Sequence, residues 1–316
     1  MEFEKPIAEV ESELAAMKVK AEAQDMDLSE EIASMEEKLV RMRKEIYDQL
    51  TPWQRVQIAR HVKRPFMLDY INHVFGDFCE LHGDRVVGDD RAMPGGIARL
   101  GETSCVVIGH QKGRNTKENL ERNFGSAHPE GYRKALRLMQ MAEKFGLPVV
   151  ALIDTPGAFP GIGAEERNVA ESIARNLREM MDLEVPIVAV VLGEGGSGGA
   201  LGIGVADRVL MLENSYYSVI SPEGCAAILW KDRKHAPEAA EAMKISAPDL
   251  LELGLIDGVV NEPDGGAHRD PTATAENLRD AVAAQLGELG KLSTEDLLAQ
   301  RYAKFRKAGA WQGLEE

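Results

Sequence analysis

The part of the sequence best suited to chemistry is a dense run of glycines at residues 193–202. It reads GEGGSGGALG and directly follows an apolar stretch, PIVAVVL, that is typical of a buried strand. Glycine has no side chain, so its backbone can approach a ligand closely, and at a strand-to-helix junction its unpaired N–H groups can point at that ligand. The run therefore predicts a turn that binds negative charge.

A phosphate-binding P-loop is the first chemistry that uses such a turn. It requires Lys and then Ser or Thr after its last glycine, whereas this chain has Gly199 and Ala200 at those positions. Binding of a nucleoside triphosphate at this turn is therefore not expected.

A dinucleotide-binding fingerprint is the second candidate, and here the match is literal. Residues 193–198 read G-x-G-x-x-G, and Glu213 ends the next predicted strand. Residues 200–206 leave room for only about two helical turns, which is short for a crossover helix. An NAD-binding oxidoreductase of the Rossmann type stays open as an alternative.

An oxyanion hole is the third candidate. Adjacent backbone N–H groups stabilise negative charge that develops on a carbonyl oxygen, and loss of one donor typically costs about 3–4 kcal/mol. A second turn of similar composition, DTPGAFPGIGAEE at residues 154–166, follows the preceding predicted strand. If the two strands are neighbours, both turns open at the same edge of the sheet, where open α/β sheets bind ligands. A purely structural tight turn also fits.

The elements that position these turns form a β-turn-α rhythm from Gly95 onward. Short β-branched runs alternate with helical segments, one of which is predicted to run unbroken over residues 165–182. This rhythm predicts a layered α/β domain with parallel strand pairing. Thr51-Pro52 marks a helix start, and further helices are expected after Pro65 and after Pro271.

The first fifty residues differ in kind, because they contain no glycine and their apolar residues recur at alternating steps of three and four. The pattern predicts two helices that break near Gln24 to Asp27. A docking arm for a partner chain and a hairpin packed on its own domain both fit, with the hairpin slightly favoured. We expect an N-terminal helical arm at residues 1–50 and one domain at residues 51–316.

Composition limits the partners. The chain has 37 Lys and Arg against 52 Asp and Glu, a formal charge of −15, which disfavours nucleic acid and anionic membranes. No apolar run approaches the roughly 18 residues that span a bilayer, and the N-terminus lacks the features of an export signal. Cys79, Cys105 and Cys225 form no CxxC pair, so neither a disulfide framework nor a cysteine-based zinc site is expected and a reduced cytoplasm fits best.

Several long motifs together resemble the α subunits of the acetyl-CoA carboxylase carboxyltransferase. They are IGHQKGR, PEGYRKALRLMQMAEKFGLP, IDTPGAFPGIGAEER, ARNLREM, GEGGSGGALGIG and SVISPEGCAAILWK. The resemblance covers nearly the whole chain. It implies a crotonase-like α/β fold of stacked ββα turns, with the N-terminal arm and C-terminal helices as additions. It also implies an α₂β₂ assembly that transfers carboxyl from carboxybiotin to acetyl-CoA, giving malonyl-CoA for fatty-acid synthesis.

The resemblance also assigns roles to the glycines. Gly198 and Gly199 would donate the N–H groups that hold negative charge on the ureido oxygen of carboxybiotin, and Gly157, Gly195 and Gly196 would bind substrate or cofactor. Biotin would arrive on a separate biotin carboxyl carrier protein. The second oxyanion hole, for the thioester enolate, would belong to the zinc-ribbon β subunit. The chain is therefore expected to be inactive alone.

The remaining candidates lie near the predicted site or imitate a cofactor signature. Lys112 and Arg114 follow a strand and are assigned to anionic groups, either CoA phosphates or the transferring carboxylate, although solvated surface charge fits equally well. His110 is interpreted as a satisfied structural imidazole rather than an acid or base. Residues 241–245, EAMKI, resemble a biotinylation signature, but their flanks are helical. We therefore expect no covalent biotin at Lys244, and no metal on this chain.

Overall fold

A computed structural model of the chain describes residues 1–24 and 26–309. Asp25 belongs to the predicted break between the first two helices and lies outside the described residues. The same holds for residues 310–316, which end the predicted domain 51–316.

One mixed sheet forms the centre of the described fold. Its strands are β1 (Gly76–Glu80), β2 (Gly95–Leu100), β3 (Thr103–Gly109), β4 (Val149–Thr155), β5 (Ile187–Gly196), β6 (Arg208–Leu212), β7 (Tyr216–Ser218) and β8 (Gly258–Val260). They lie in the order β1-β2-β3-β4-β5-β6-β8, and β7 pairs with the end of β5 beyond β6. The β1–β2 and β2–β3 pairs are antiparallel, and the pairs from β3 onward are parallel. The predicted α/β class with parallel pairing is confirmed.

Helices cover the sheet and extend from it. They are α1 (Lys5–Gln24), α2 (Ser29–Asp48), α3 (Pro52–Ala59), α4 (Met67–Val74), α5 (Thr116–Glu121), α6 (Pro129–Phe145), α7 (Ile162–Glu166), α8 (Val169–Asp182), α9 (Ser197–Leu201), α10 (Pro222–Leu229), α11 (Ala236–Met243), α12 (Ala247–Glu252), α13 (Pro271–Leu289) and α14 (Thr294–Lys307). Thr51 caps α3 through a capping box with Gln54. The predicted helix starts at Thr51-Pro52, after Pro65 and after Pro271 are confirmed.

Two buried layers sandwich the sheet, which explains why its central strands are apolar almost throughout. Successive residues of β4 and β5 point to opposite faces. Ala151 and Ile153 pack in one core with α6 and α8, whereas Val150 and Leu152 pack in the other with α4 and α13. The β4 and β5 strands are buried along their whole length. Their carboxyl ends are therefore held rigidly where the two turns begin.

The helix predicted over residues 165–182 is in fact two helices, α7 and α8. Asn168 separates them in the left-handed conformation, with φ of 63°. Asparagine tolerates this region better than most residues. Ionic contacts hold the bend, because Arg167 donates to Glu130 and the Arg167 carbonyl accepts from Arg133. The prediction of one continuous helix was wrong at this position.

The first two helices form a hairpin. Ile7, Val10 and Leu14 of α1 are buried against α2 and against Ile58 of α3. The two predicted helices are confirmed, and the base of the hairpin packs on its own chain. The division into an arm at residues 1–50 and a domain at residues 51–316 stays a prediction.

Candidate active site

The two glycine-rich turns lie side by side at the carboxyl ends of β4 and β5. Thr155, the last residue of β4, is in register with Gly195 of β5. A Cβ atom at Gly196 would lie 2.2 Å from the carbonyl oxygen of Pro156, and one at Gly199 would lie 2.4 Å from the amide nitrogen of Ala158. Glycine is needed at both positions because the two backbones touch there. The prediction that both turns open at one edge of the sheet is confirmed.

The junction between β5 and α9 presents two adjacent backbone donors. Ser197 makes the bend with φ of 51°, a strained conformation for a residue with a side chain. Gly198 and Gly199 then follow in the first turn of α9, where amides have no acceptor within the helix. Among residues 1–24 and 26–309, neither amide donates to a backbone carbonyl. Both can therefore serve an acceptor that is not part of this chain.

A cavity of about 700 Å³ is lined by both turns, a volume in the usual range for small-molecule sites. Gly198 and Gly199 form part of its wall, and Gly157 contributes from the other turn. Val169 and Ile173 of α8 supply an apolar side. The loop before α10 closes the opposite side, where Ser221 caps α10 by accepting from the Gly224 amide.

Two of the predicted binding glycines, Gly195 and Gly196, are buried behind this wall. A Cβ at Gly195 would lie 2.8 Å from the ring of Tyr217, and Gly196 contacts the neighbouring turn as described above. Their geometry is that of residues that support the cavity rather than line it. The assigned roles of the five glycines in catalysis and binding stay predictions.

A buried cluster of charged side chains links the ends of β3, β4 and β5. The Nζ atom of Lys112 lies 2.6 Å from Asp154 Oδ1 and 2.9 Å from Glu194 Oε1. The other oxygen of Glu194 accepts from Arg60 Nε at 2.7 Å and from Tyr216 Oη at 2.6 Å. Every charge in this cluster is compensated, which is the condition for burying charges in a protein interior.

The electrostatics of the cluster keep Glu194 and Lys112 ionised. Burial by itself would raise the pKa of Glu194, but the charges of Lys112 and Arg60 outweigh burial and lower that pKa to about 2. Burial opposes the charge of Lys112 as well, yet Asp154 and Glu194 raise its pKa above the ordinary value. Sequence reasoning missed Glu194 and Arg60. The available signal was a lone carboxylate at the end of a buried strand, which requires a cation.

Lys112 and Arg114 do not line the glycine cavity in the described part of the chain. Both line a separate cavity of about 170 Å³. Arg114 pairs with Asp69, donates to the Arg64 carbonyl at 2.8 Å, and lies 4.0 Å from the centre of the Phe66 ring. Each of the two cations thus already has a carboxylate partner. Their assignment to anionic substrate groups stays a prediction, and the geometry favours a structural role for Lys112.

His110 is completely buried directly after β3. No hydrogen bond of good geometry reaches either ring nitrogen within the described residues, although the Gly199 backbone lies near enough to act on the ring. The expected satisfied structural imidazole therefore stays a prediction. Burial and the nearby charge of Lys112 lower the pKa of His110 to about 3, and the Gly199 backbone offsets this only in part. His110 is therefore neutral at physiological pH.

The dinucleotide-binding and biotinylation signatures do not lie in the structural settings that those functions require. Glu213, which would have held the ribose of a dinucleotide, accepts from the backbone of Glu262. The helix after the fingerprint, α9, has five residues, far fewer than a crossover helix needs. Glu241 lies within helix α11, and Lys244 follows the end of that helix, whereas a biotinylated lysine sits on a hairpin between strands. The absence of covalent biotin at Lys244 stays a prediction.

The structure also bears on metals and membranes. In the described part of the chain, Glu4, His61 and His268 form one group whose ligand atoms lie within 4.8 Å of one another. The group lies at the base of the hairpin and shares no residue with the glycine cavity. The prediction that this chain carries no metal stays a prediction.

Across residues 1–24 and 26–309, no helix combines the length and apolar character that a membrane span requires.

Comparison with solved structures identifies the fold. Transcarboxylase 12S matches with a TM-score of 0.57 at 17% identity, over 83% of this chain and 46% of the longer transcarboxylase chain. A Pseudomonas malonate decarboxylase hetero-tetramer matches with a TM-score of 0.57 at 15% identity, over 70% of this chain and 91% of the matched chain. The predicted crotonase-like fold is confirmed, and the Rossmann-type alternative is not supported.

Sequence comparison identifies the family. The family model described as acetyl co-enzyme A carboxylase carboxyltransferase-like matches residues 1–309. The acetyl-coenzyme A carboxylase carboxyl transferase subunit alpha of Geobacter metallireducens is 58% identical over 97% of this chain and 96% of its own length. The protein of the same name from Thermus thermophilus is 57% identical over 98% of both chains. The chain therefore belongs to the acetyl-CoA carboxylase carboxyltransferase family, among its α subunits.

Proposed function

We propose that this chain is the α subunit of an acetyl-CoA carboxylase carboxyltransferase and that its glycine cavity receives the carboxybiotin of a separate carrier protein. The observation that carries the proposal is the pair of adjacent amides, Gly198 and Gly199, in the wall of the cavity with no acceptor among the described residues. When bound, carboxybiotin supplies the carboxyl group that is transferred to acetyl-CoA to give malonyl-CoA.

The residues of this chain act through their backbone. The amides of Gly198 and Gly199 bind the ureido oxygen, where negative charge increases during transfer, and hold it by hydrogen bonds that need no reorganisation. The close contact between the Gly199 and Ala158 backbones fixes the direction of these amides. Val169 and Ile173 keep one side of the cavity apolar, which strengthens the hydrogen bonds by excluding water. No side chain of this chain is required as a general base, because the proton of the acetyl methyl group would pass to biotin once biotin has lost its carboxyl group.

The rest of the reaction requires a partner. The proposed partner is a zinc-ribbon β subunit in an α₂β₂ complex, which provides the site for acetyl-CoA and the oxyanion hole for its enolate. The α-subunit names of the relatives support a β partner. The Gly198 and Gly199 amides serve the ureido oxygen alone, so the enolate of acetyl-CoA needs other donors. We propose that the complex works in the cytoplasm and that the chain alone forms no malonyl-CoA.

Gly198→Val is the sharpest test of the site. Within the described residues, a Cβ at Gly198 would contact only Ile173 Cδ1, at 3.8 Å, so the variant should fold and assemble. The added side chain would occupy the cavity wall and keep the ureido oxygen from the amides. We expect at least a hundredfold loss of biotin-dependent malonyl-CoA formation in the assembled complex. Gly199→Val is a poorer probe because its Cβ would collide with the neighbouring backbone.

Gly287→Val is the matched control, because a Cβ at Gly287 on α13 meets nothing within 4 Å. The control complex should retain turnover. Size-exclusion chromatography with the β subunit would confirm assembly for both variants. Near-normal turnover by an assembled Gly198→Val complex would refute the assignment of these amides.

A further inference from the structure

A further cavity, of about 470 Å³, lies between α6 and α8 and is rich in arginine. Five guanidinium groups line it, those of Arg85, Arg133, Arg137, Arg167 and Arg175. The glycine cavity uses Val169 and Ile173 of α8, whereas this one uses Ser172 and Asn176. The two cavities therefore lie on different faces of one helix and share no lining residue.

Two of the five arginines are neutralised within the chain. Arg133 Nε lies 2.8 Å from Asp84 Oδ2, and Arg167 Nε lies 2.6 Å from Glu130 Oε1. These pairs consume the buried carboxylates of Asp84 and Glu130. They hold the walls of the cavity together. The exposed Glu171 of α8 also lines the cavity but pairs with none of the remaining arginines in the described part of the chain.

The other three arginines have no carboxylate partner within the described residues. Arg85 donates to the His82 carbonyl at 2.8 Å, and Arg137 donates to the carbonyls of Gly83 and His82. Arg175 is exposed on α8. Burial and the positive charge of Arg85 lower the pKa of Arg137. Repulsion between neighbouring cations costs stability that a bound anion would recover.

The remaining walls also suit an anion that carries a larger group. Helix α8 begins at the cavity, and its N-cap, Asn168, makes no side-chain cap, so the positive end of the helix dipole adds to the guanidiniums. Val86 and Leu136 supply apolar surface. Asn176 is buried behind this wall, and its amide nitrogen donates to the Tyr132 and Gly202 carbonyls, which fixes the position of α8 beside α6.

We propose that this cavity binds a phosphorylated small molecule, whose phosphate oxygens are held by Arg85, Arg137 and Arg175. Guanidinium groups match the planar pairs of oxygens on phosphate, and three of them suit a diphosphate better than a single carboxylate.

Isothermal titration of the full chain with inorganic pyrophosphate, and then with ADP, tests the proposal. We expect saturable binding of pyrophosphate that weakens with added salt, and tighter binding of ADP if the apolar wall contributes. Arg85→Gln, Arg137→Gln and Arg175→Gln should each weaken binding about tenfold. Exposed Arg85 and Arg175 can be replaced without disturbing the core.

Arg178→Gln is the matched control, because Arg178 lies on the same helix, loses the same charge and pairs with Glu179 outside the cavity. It should bind pyrophosphate like the unmodified chain. Absence of saturable binding, or equal affinity in the three cavity variants and the control, would overturn the proposal. Failure here leaves the Gly198→Val test of the proposed function untouched, because that readout involves the other cavity.

Discussion

His110 shows how strongly a single buried side chain can couple this protein to pH. The ring is fully buried, and burial together with the charge of Lys112 lowers its pKa from 6.5 to about 3. Between pH 6.5 and about pH 3, His110 is therefore protonated in the unfolded chain and neutral in the folded chain. The stability that depends on neutral His110 is complete above pH 6.5 and decreases as the pH falls toward 3.

His110→Gln should remove this part of the acid sensitivity. A group with such a shift contributes about 1.4 kcal/mol per pH unit over that range. Between pH 7 and pH 5 the unmodified protein should therefore lose about 2 kcal/mol more unfolding free energy than the variant. Urea unfolding at the two pH values measures the difference. Parallel losses in both proteins would contradict the assignment.

The sequence predicts the glycines of the site better than its charged residues. The local sequence is enough to identify Gly196, Gly198 and Gly199, because few functions besides close backbone approach need so many glycines after a strand. Lys112 does not, since its partners Asp154 and Glu194 are 42 and 82 residues away in the chain. Whether a lysine binds substrate or a buried carboxylate depends on contacts that no local pattern encodes.

At the scale of elements, the charged cluster joins helix α3 to the ends of three neighbouring strands of the sheet. Lys112 follows β3, Asp154 lies in β4 and Glu194 lies in β5, while Arg60 ends α3. The parallel strands place these side chains at one edge, and the charges then attach α3 to that edge. Because the glycine turns begin at the same strand ends, the cluster fixes the base of the proposed site.

Lys112→Met tests whether this lysine is a structural anchor. The substitution leaves Asp154 and Glu194 buried with one cation fewer, and removal of one partner of a buried ion pair typically costs about 3–5 kcal/mol. We expect a loss of that size in the unfolding free energy. Lys117→Met on exposed α5 serves as the control and should change stability little. Unchanged stability of Lys112→Met with lost turnover would instead support the predicted contact with substrate.

The boundary between α7 and α8 is a feature that the spacing of apolar residues does not predict. The apolar spacing over residues 165–182 is helical, and both resulting elements are indeed helices. The bend at Asn168 depends on the ionic contacts of Arg167 and Arg133 with Glu130 of α6. A helical pattern reports the local face that is buried and contains no information about such a distant partner.

At the scale of the whole molecule, the helical hairpin at the N-terminus is connected to the far end of the chain. The apolar seam predicts two helices but cannot say whose surface the hairpin meets. In the structure, Arg269 lies 2.6 Å from Glu11 of α1 and 3.5 Å from Glu4, and Tyr47 of α2 donates to Glu4. The base of the hairpin is thus held by contacts 258 residues apart in the chain.

Arg269→Met should loosen the hairpin without unfolding the sheet. Loss of its ion pairs with Glu4 and Glu11 removes charge-assisted contacts, so amides of the first half of α1 should exchange hydrogen about tenfold faster. Strands β4 and β5 should keep their protection because their cores do not include Arg269. Arg279→Met, which replaces an exposed arginine paired with Asp280 on α13, is the control. Equal exchange of α1 in both variants would mean that the apolar contacts around Ile58 hold the hairpin without help from these charges.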